Sequence, residues 1–334
     1  MDLSLISRYR QELMGFAIIG VLIAHTITLG HFENTIFIKT LNFLAITVFT
    51  RGFLFLSGLG QYFSLRNGCN VSVYYKKRYL RLLVPYILIG FPYFVFTDII
   101  SDNRIFTFLG HLSTFSFWYE GNYSGMWYIS VTVLLYFLYP FYHEWVYSDN
   151  KKVIYKSGIV LLFLTLVNIL LYFFSHSYYE KISIGESILS MFFMGSLCMY
   201  LIERGFKFKI NYLVWVILIG LATKILSSYS LLFDPYFKML LCFICMIIYT
   251  KLFETLTSIF PRLMSWILIA LKTFGKYTLE LYISHMLFYY LLSERLFVSV
   301  DSRIIIIVSI ALSLIVAYPL NILSNRIICY FSRI

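Results

Sequence analysis

Among the ionisable side chains set inside apolar runs, four have the types and spacing to do chemistry. His25 lies in AIIGVLIAHT. An imidazole titrates near neutral pH and can take a proton from a hydroxyl. His25 therefore reads either as a general base or as an interface histidine bonded to a neighbouring helix. Arg51, in ITVFTRGFLFLSGLG, cannot be neutralised, so it must face a polar cavity or an acidic partner. In FGKYTLELYISH, Glu280 and His285 are five apart, so they point to different faces and are not expected to serve one proton. At the edge of another run, YYKKRYLRLLVPY places Arg78 and Arg81 on one helical face beside Lys76 and Lys77. That cluster is either a topology signal touching lipid headgroups or a phosphate clamp for a nucleotide-bearing donor. Trp127 marks a span entrance in GMWYISVTVLLYFLYPF, where Pro140 is expected to kink or end the helix.

The elements that must position these groups are membrane spans. Of 334 residues, 60% are hydrophobic and 13% charged, whereas a soluble chain carries roughly 25% charge. Spans of about 20 apolar residues are expected near 13–30, 41–63, 82–100, 126–147, 157–175, 185–202, 211–227, 236–254, 276–294 and 304–325, with 264–275 as a separate short helix. The reading is all-α: one membrane domain over 1–334, about ten helices, with no soluble extracytoplasmic domain and no cleavable signal peptide. Nineteen Lys and Arg fall in the loops on the side of the termini and seven in the others, with Arg51 inside a span. The positive-inside rule therefore sets both termini in the cytoplasm. The net charge of +11 is spread over alternate loops, which argues against a nucleic-acid partner.

The five cysteines (Cys69, Cys198, Cys242, Cys245, Cys329) fall mostly in apolar segments. The C-x-x-C at Cys242 and Cys245 has no second pair, so it reads as helix packing and no metal is expected. No internal repeat is visible, whereas an inverted-repeat transporter should show matched broken helices. The connection near 101–125 is too short and too poorly charged for a glycan polymerase or ligase.

Segments in one order, MGFAIIGVLIAHT, FLFLSGLG, YYKKRYLRLLVPY, GMWYISVTVLLYFLYP and GKYTLELYISH, resemble acyltransferase family 3, the bacterial multispan membrane enzymes that O-acylate envelope glycans. The resemblance implies His25 as the catalytic residue. It implies Arg78 and Arg81 as donor-binding residues, and Ser57, Gly58 and Gly60 as packing beside the site. Trp127, Glu280, Tyr282 and His285 are possible supporting residues. It also implies a basic residue eleven positions before the histidine, where this chain has Met14. Arg10, four residues further back, is the expected substitute, with Arg8 or Arg51 as alternatives.

The implied activity is O-acetyl or other acyl transfer from acyl-CoA to a hydroxyl of O-antigen, capsule or exopolysaccharide. In it His25 takes the hydroxyl proton, and Arg51 or another internal donor holds the oxyanion. Acetyl-CoA is then a substrate, no bound cofactor is expected, and the partners are a glycan or lipid-linked glycan and membrane lipids in the bacterial inner membrane. The alternative is a lipid or glycan flippase without acyl transfer.

Overall fold

The computed structural model describes residues 2–32, 35–66, 68, 70–121, 126–186 and 188–333. Cys69 and the last four residues of the 101–125 connection lie outside them. The regular structure of the described residues is helical throughout. A helix satisfies its own backbone donors and acceptors, which a chain in hydrocarbon requires because water is not there to do it.

In chain order the main helices are α1 (Arg10–Leu29), α2 (Ile36–Leu65), α3 (Val71–Ser101) and α4 (Trp127–Tyr147). They continue with α5 (Val153–Phe174), α6 (Leu189–Glu203), α7 (Ile210–Ser227) and α8 (Asp234–Ile259). The last three are α9 (Pro261–Lys276), α10 (Thr278–Leu291) and α11 (Ser302–Arg333). Short helices at Ile105–Leu112 and Ser116–Glu120 fill part of the connection before α4, and another, His176–Glu186, precedes α6.

Among the described residues, eight helices are long and apolar enough to cross a membrane. The expected spans at 126–147 and 276–294 correspond to α4 and α10, which are helical but less apolar. α4 carries five tyrosines with His143 and Glu144, and α10 carries Glu280 and His285. α4 runs through Pro140 to Tyr147, so the proline does not end it. α9 is the separate helix expected near 264–275. α3, α8 and α11 extend past the apolar runs that revealed them, because hydropathy marks only the membrane-embedded part of a helix.

α2 lies at the centre: 72% of its most apolar window is inside the bundle, against 11% for α5 and 6% for α7. Small residues let it pack closely. A Cβ on Gly58 would overlap the Phe192 carbonyl, and one on Gly195 would overlap that of Phe55, so α2 and α6 meet backbone to backbone. α1 and α2 run antiparallel with three rungs between them. Arg10 Nε donates to Leu56 O at 2.8 Å, Gly20 lies against the Phe49 ring, and Asn42 Nδ2 donates to Thr28 Oγ1 at 3.3 Å. His25 is therefore near the far rung, and Arg51 is at a level between the first two.

Arg10 and Ser332 line one cavity, so both chain ends lie at the same end of the bundle, together with Arg78 and Arg81. This is the basic end. At the opposite end, Arg295 on the π-helical extension of α10 pairs with Asp102 at 2.8 Å. There too, His111 Nδ1 meets Asp98 Oδ2 at 2.8 Å.

Candidate active site

The first part of the site is a pair of histidines. Nδ1 of His25 on α1 lies 2.7 Å from Nε2 of His285 on α10, and their ring centroids are 5.0 Å apart at 23°. Nδ1 of His285 lies 2.7 Å from the Leu281 carbonyl oxygen. A carbonyl can only accept, so that nitrogen of His285 carries its hydrogen. In a neutral pair the other nitrogen of His285 is then an acceptor, and His25 Nδ1 must donate to it. The chain of hydrogen bonds leaves His25 Nε2 with a bare lone pair, which is the form a general base needs. His285 is fully buried, while His25 is partly exposed.

The second part is a cavity of about 870 Å³ at the basic end. Its mouth carries Arg10, Lys76, Lys77, Arg78, Arg81 and Lys276, and the one carboxylate among its described lining residues is Glu280. Such an excess of cations could hold a polyanion such as a phosphate ester. Glu280 is held on the wall by Asn321, whose Nδ2 donates to Glu280 Oε1 at 2.7 Å. Arg78 bonds Ser64 Oγ and stacks on Tyr74 with its guanidinium carbon 5.9 Å from the ring centre. Arg10 reaches the cavity because position 60 is glycine. A Cβ there would overlap the guanidinium.

The deep end of the cavity is aromatic. Phe53, Tyr128 and Tyr282 all line it. Phe53 lies 6.1 Å from Tyr128 and Tyr128 lies 5.3 Å from Tyr282, centroid to centroid. Tyr282 in turn lies 6.0 Å from His285. These rings form the floor of the cavity, with the histidine pair on their far side. Met14 lines the wall eleven residues before His25, about 16 Å along the helix.

The structure thus distributes the expected site residues over three places. His25 and His285 are in contact. Arg10, Arg78, Arg81 and Glu280 surround the cavity. Arg51 is buried outside the cavity lining, within electrostatic reach of Cys242 and Asp234. Its Nε finds no partner among the described residues. Trp127 is one step removed, packed edge-on against Tyr128 at 5.9 Å. Ser57 and Gly60 line the cavity while Gly58 packs against α6. Cys242 Sγ donates a hydrogen bond to Val48 O at 3.3 Å. Glu280 and His285 do face different places, as their spacing requires.

Sequence reasoning missed Phe53, Tyr128, Gln61, Asn321 and Ser324 as lining residues. The signal available was polar residues recurring at helical spacing in an apolar helix, as at Asn321, Ser324 and Asn325. A smaller cavity of about 490 Å³ between α2, α4 and α6 has its Arg66 paired with Glu203.

A family profile described as an acyltransferase domain matches residues 13–322, nearly the whole chain. No curated protein and no solved structure matches the chain. With the profile covering the helices that carry both the histidine pair and the cationic cavity, the chain belongs to acyltransferase family 3 and the protein is a multi-pass membrane acyltransferase.

Proposed function

We propose that the protein transfers an acetyl or other small acyl group from acyl-CoA to a hydroxyl of an envelope glycan, such as O-antigen, capsule or exopolysaccharide, in the bacterial inner membrane. The observation that carries this reading is the arrangement of the two parts of the site. A polycationic cavity at one end ends on an aromatic floor, and a histidine with a bare Nε2 lies just beyond it.

In this reading the basic end faces the cytoplasm, where acyl-CoA is found. Arg10, Arg78 and Arg81 hold the donor phosphates through charge-assisted hydrogen bonds. The thioester arm extends from the cavity toward the histidine pair, and the floor rings Phe53, Tyr128 and Tyr282 must yield to let it through. His25 Nε2 takes the proton of the acceptor hydroxyl as the oxygen attacks the thioester carbonyl carbon. The tetrahedral intermediate collapses by breaking the C–S bond. The thiolate leaves, recovers the proton from the imidazolium, and the ester remains on the acceptor.

His285 does not touch the reacting atoms in this scheme. Its Nε2 accepts from His25 Nδ1 both before and after His25 is protonated, so it fixes the tautomer and stabilises the imidazolium. Arg51, outside the cavity lining, enters no step.

Membranes containing the protein, given radiolabelled acetyl-CoA and the host glycan, should transfer label to the glycan. His25→Ala should abolish transfer at unchanged expression. Label transfer equal to wild type in that variant would overturn the assignment of His25. Glycan movement without any label transfer would instead support the flippase alternative.

A further inference from the structure

Arg51 carries a permanent charge into the bundle, and no described residue meets it. The side chain is 8% exposed. Its guanidinium makes no hydrogen bond or ion pair among the described residues, and its Nε is wholly enclosed. Four residues earlier on α2, Thr47 is 1% exposed and its Oγ1 is also buried without a partner. Side chains on a helix lean back toward its N-terminus, so the Arg51 head lies over the turn that bears Thr47. The two groups are therefore neighbours on one face of α2. Thr47 belongs to the π-helical turn Ala45–Phe49, a distortion that often accompanies function.

Nothing packed nearby supplies the missing negative charge. α8 runs parallel to α2 here. The rings of Phe43 and Phe237 are 6.4 Å apart, Cys242 donates to Val48 O, and a Cβ on Gly52 would overlap Met246. Cys242 is within electrostatic reach of Arg51, but its thiol hydrogen is taken up by Val48 O, which leaves a neutral sulfur. The carboxylate within such reach is Asp234. By the register of those contacts, position 51 is level with Cys245, so the Asp234 backbone lies about 16 Å further along the axis. Lys238 already holds Asp234 at 2.5 Å.

Both unpartnered groups have hydrogens to give. A guanidinium only donates, and the Thr47 hydroxyl has an unspent O–H. An acceptor bearing negative charge completes both at once. A buried charge is costly until it is paired. The burial of the two side chains limits the size of what reaches them, to an ion and not a sugar or a nucleotide.

We propose that Arg51 and Thr47 bind a small monovalent anion, chloride or an ion of similar size, between α2 and α8. This site is separate from the cationic cavity and does not depend on the acyl-transfer reading. The ion neutralises the charge that α2 carries at the centre of the bundle.

Thermal unfolding of the purified protein in detergent tests it, in sodium chloride against sodium gluconate at equal ionic strength, gluconate being too large for the site. Chloride should raise the unfolding temperature by roughly 2–4 °C for each tenfold above its dissociation constant. Arg51→Met keeps an apolar stem and removes the charge. It should abolish the difference between the salts, and in gluconate it should unfold no lower than wild type. Thr47→Val keeps the shape and should need roughly tenfold more chloride for the same rise, as for one lost hydrogen bond to a charged group. Arg78→Gln, in the cationic cavity, should respond to chloride as wild type does.

Equal unfolding temperatures of the wild type in the two salts would mean that water suffices for Arg51, and would overturn the proposal. So would a chloride effect that survives unchanged in Arg51→Met, which marks a general effect of the salt. An effect lost in Arg78→Gln and kept in Arg51→Met would place the ion in the cationic cavity instead. If Arg51→Met does not fold, Thr47→Val decides, and an unshifted chloride dependence there overturns the assignment.

Discussion

His285→Phe removes the acceptor for His25 Nδ1 while keeping a ring, somewhat larger than imidazole, in the buried site. In the structure that acceptor is 2.7 Å away, and His285 is itself anchored to Leu281 O at 2.7 Å. Without it, nothing in the pair requires the His25 hydrogen to sit on Nδ1. The imidazolium formed as the acceptor attacks also loses a charge-assisted bond. A hydrogen bond to a charged group is worth about 1.5–3 kcal/mol, and each 1.36 kcal/mol is tenfold in rate. The expected result is a fall in kcat of roughly 10- to 100-fold. KM for the donor should stay within about twofold, an order-of-magnitude expectation for a residue that does not line the cationic cavity. His285→Gln, which can present an oxygen to His25, should recover part of the loss. The assay is the initial rate of label transfer from acetyl-CoA in membranes with matched protein content. A kcat for His285→Phe indistinguishable from wild type, or a change confined to KM, would refute the inference that His285 acts through His25.

Other consequences follow from the cavity and the packing. Arg10→Gln should raise donor KM about tenfold by removing a charge-assisted contact, and Met14→Arg in that background should restore much of it, as measured by saturation kinetics. Gly60→Val should mimic Arg10→Gln, because the new side chain occupies the place of the guanidinium, and combining the two should add little. Gly195→Leu forces apart the α2–α6 crossing at the Phe55 carbonyl. It should destabilise the detergent-solubilised protein by about 2 kcal/mol or more, seen as a lower unfolding temperature; an unchanged temperature would contradict the close crossing.

Much of the fold was legible because apolar length carries so much information in a membrane chain. Even the separate helix at Pro261–Lys276 showed itself between two longer runs. Helix ends were less legible: α11 continues to Arg333, well past its apolar run, since nothing in hydropathy says where a helix ends once it leaves the bilayer. The arrangement of the candidate site was half legible. His25, Arg78 and Arg81 stood out by their types, and Arg10 by its offset from Met14. That His25 meets His285 depends on α1 packing beside α10, a contact between residues 260 apart in sequence. No spacing rule within one helix reaches that far. The entry of Arg10 into the cavity likewise depends on a glycine fifty residues away, at position 60. Arg51 shows the converse, since a charge in a span demands a polar neighbour but does not say on which face. Its face proved to be one away from the cationic cavity.

The proposed reaction, which joins a cationic cavity to a histidine with a bare nitrogen beyond its aromatic rings, stands or falls on His25. The most direct measurement is label transfer from radiolabelled acetyl-CoA to the envelope glycan by membranes bearing wild-type protein or His25→Ala, with donor binding measured in parallel. The account predicts that His25→Ala binds the donor as wild type does, because His25 lies beyond the cavity floor, and transfers no label. Transfer at the wild-type rate in that variant would contradict it.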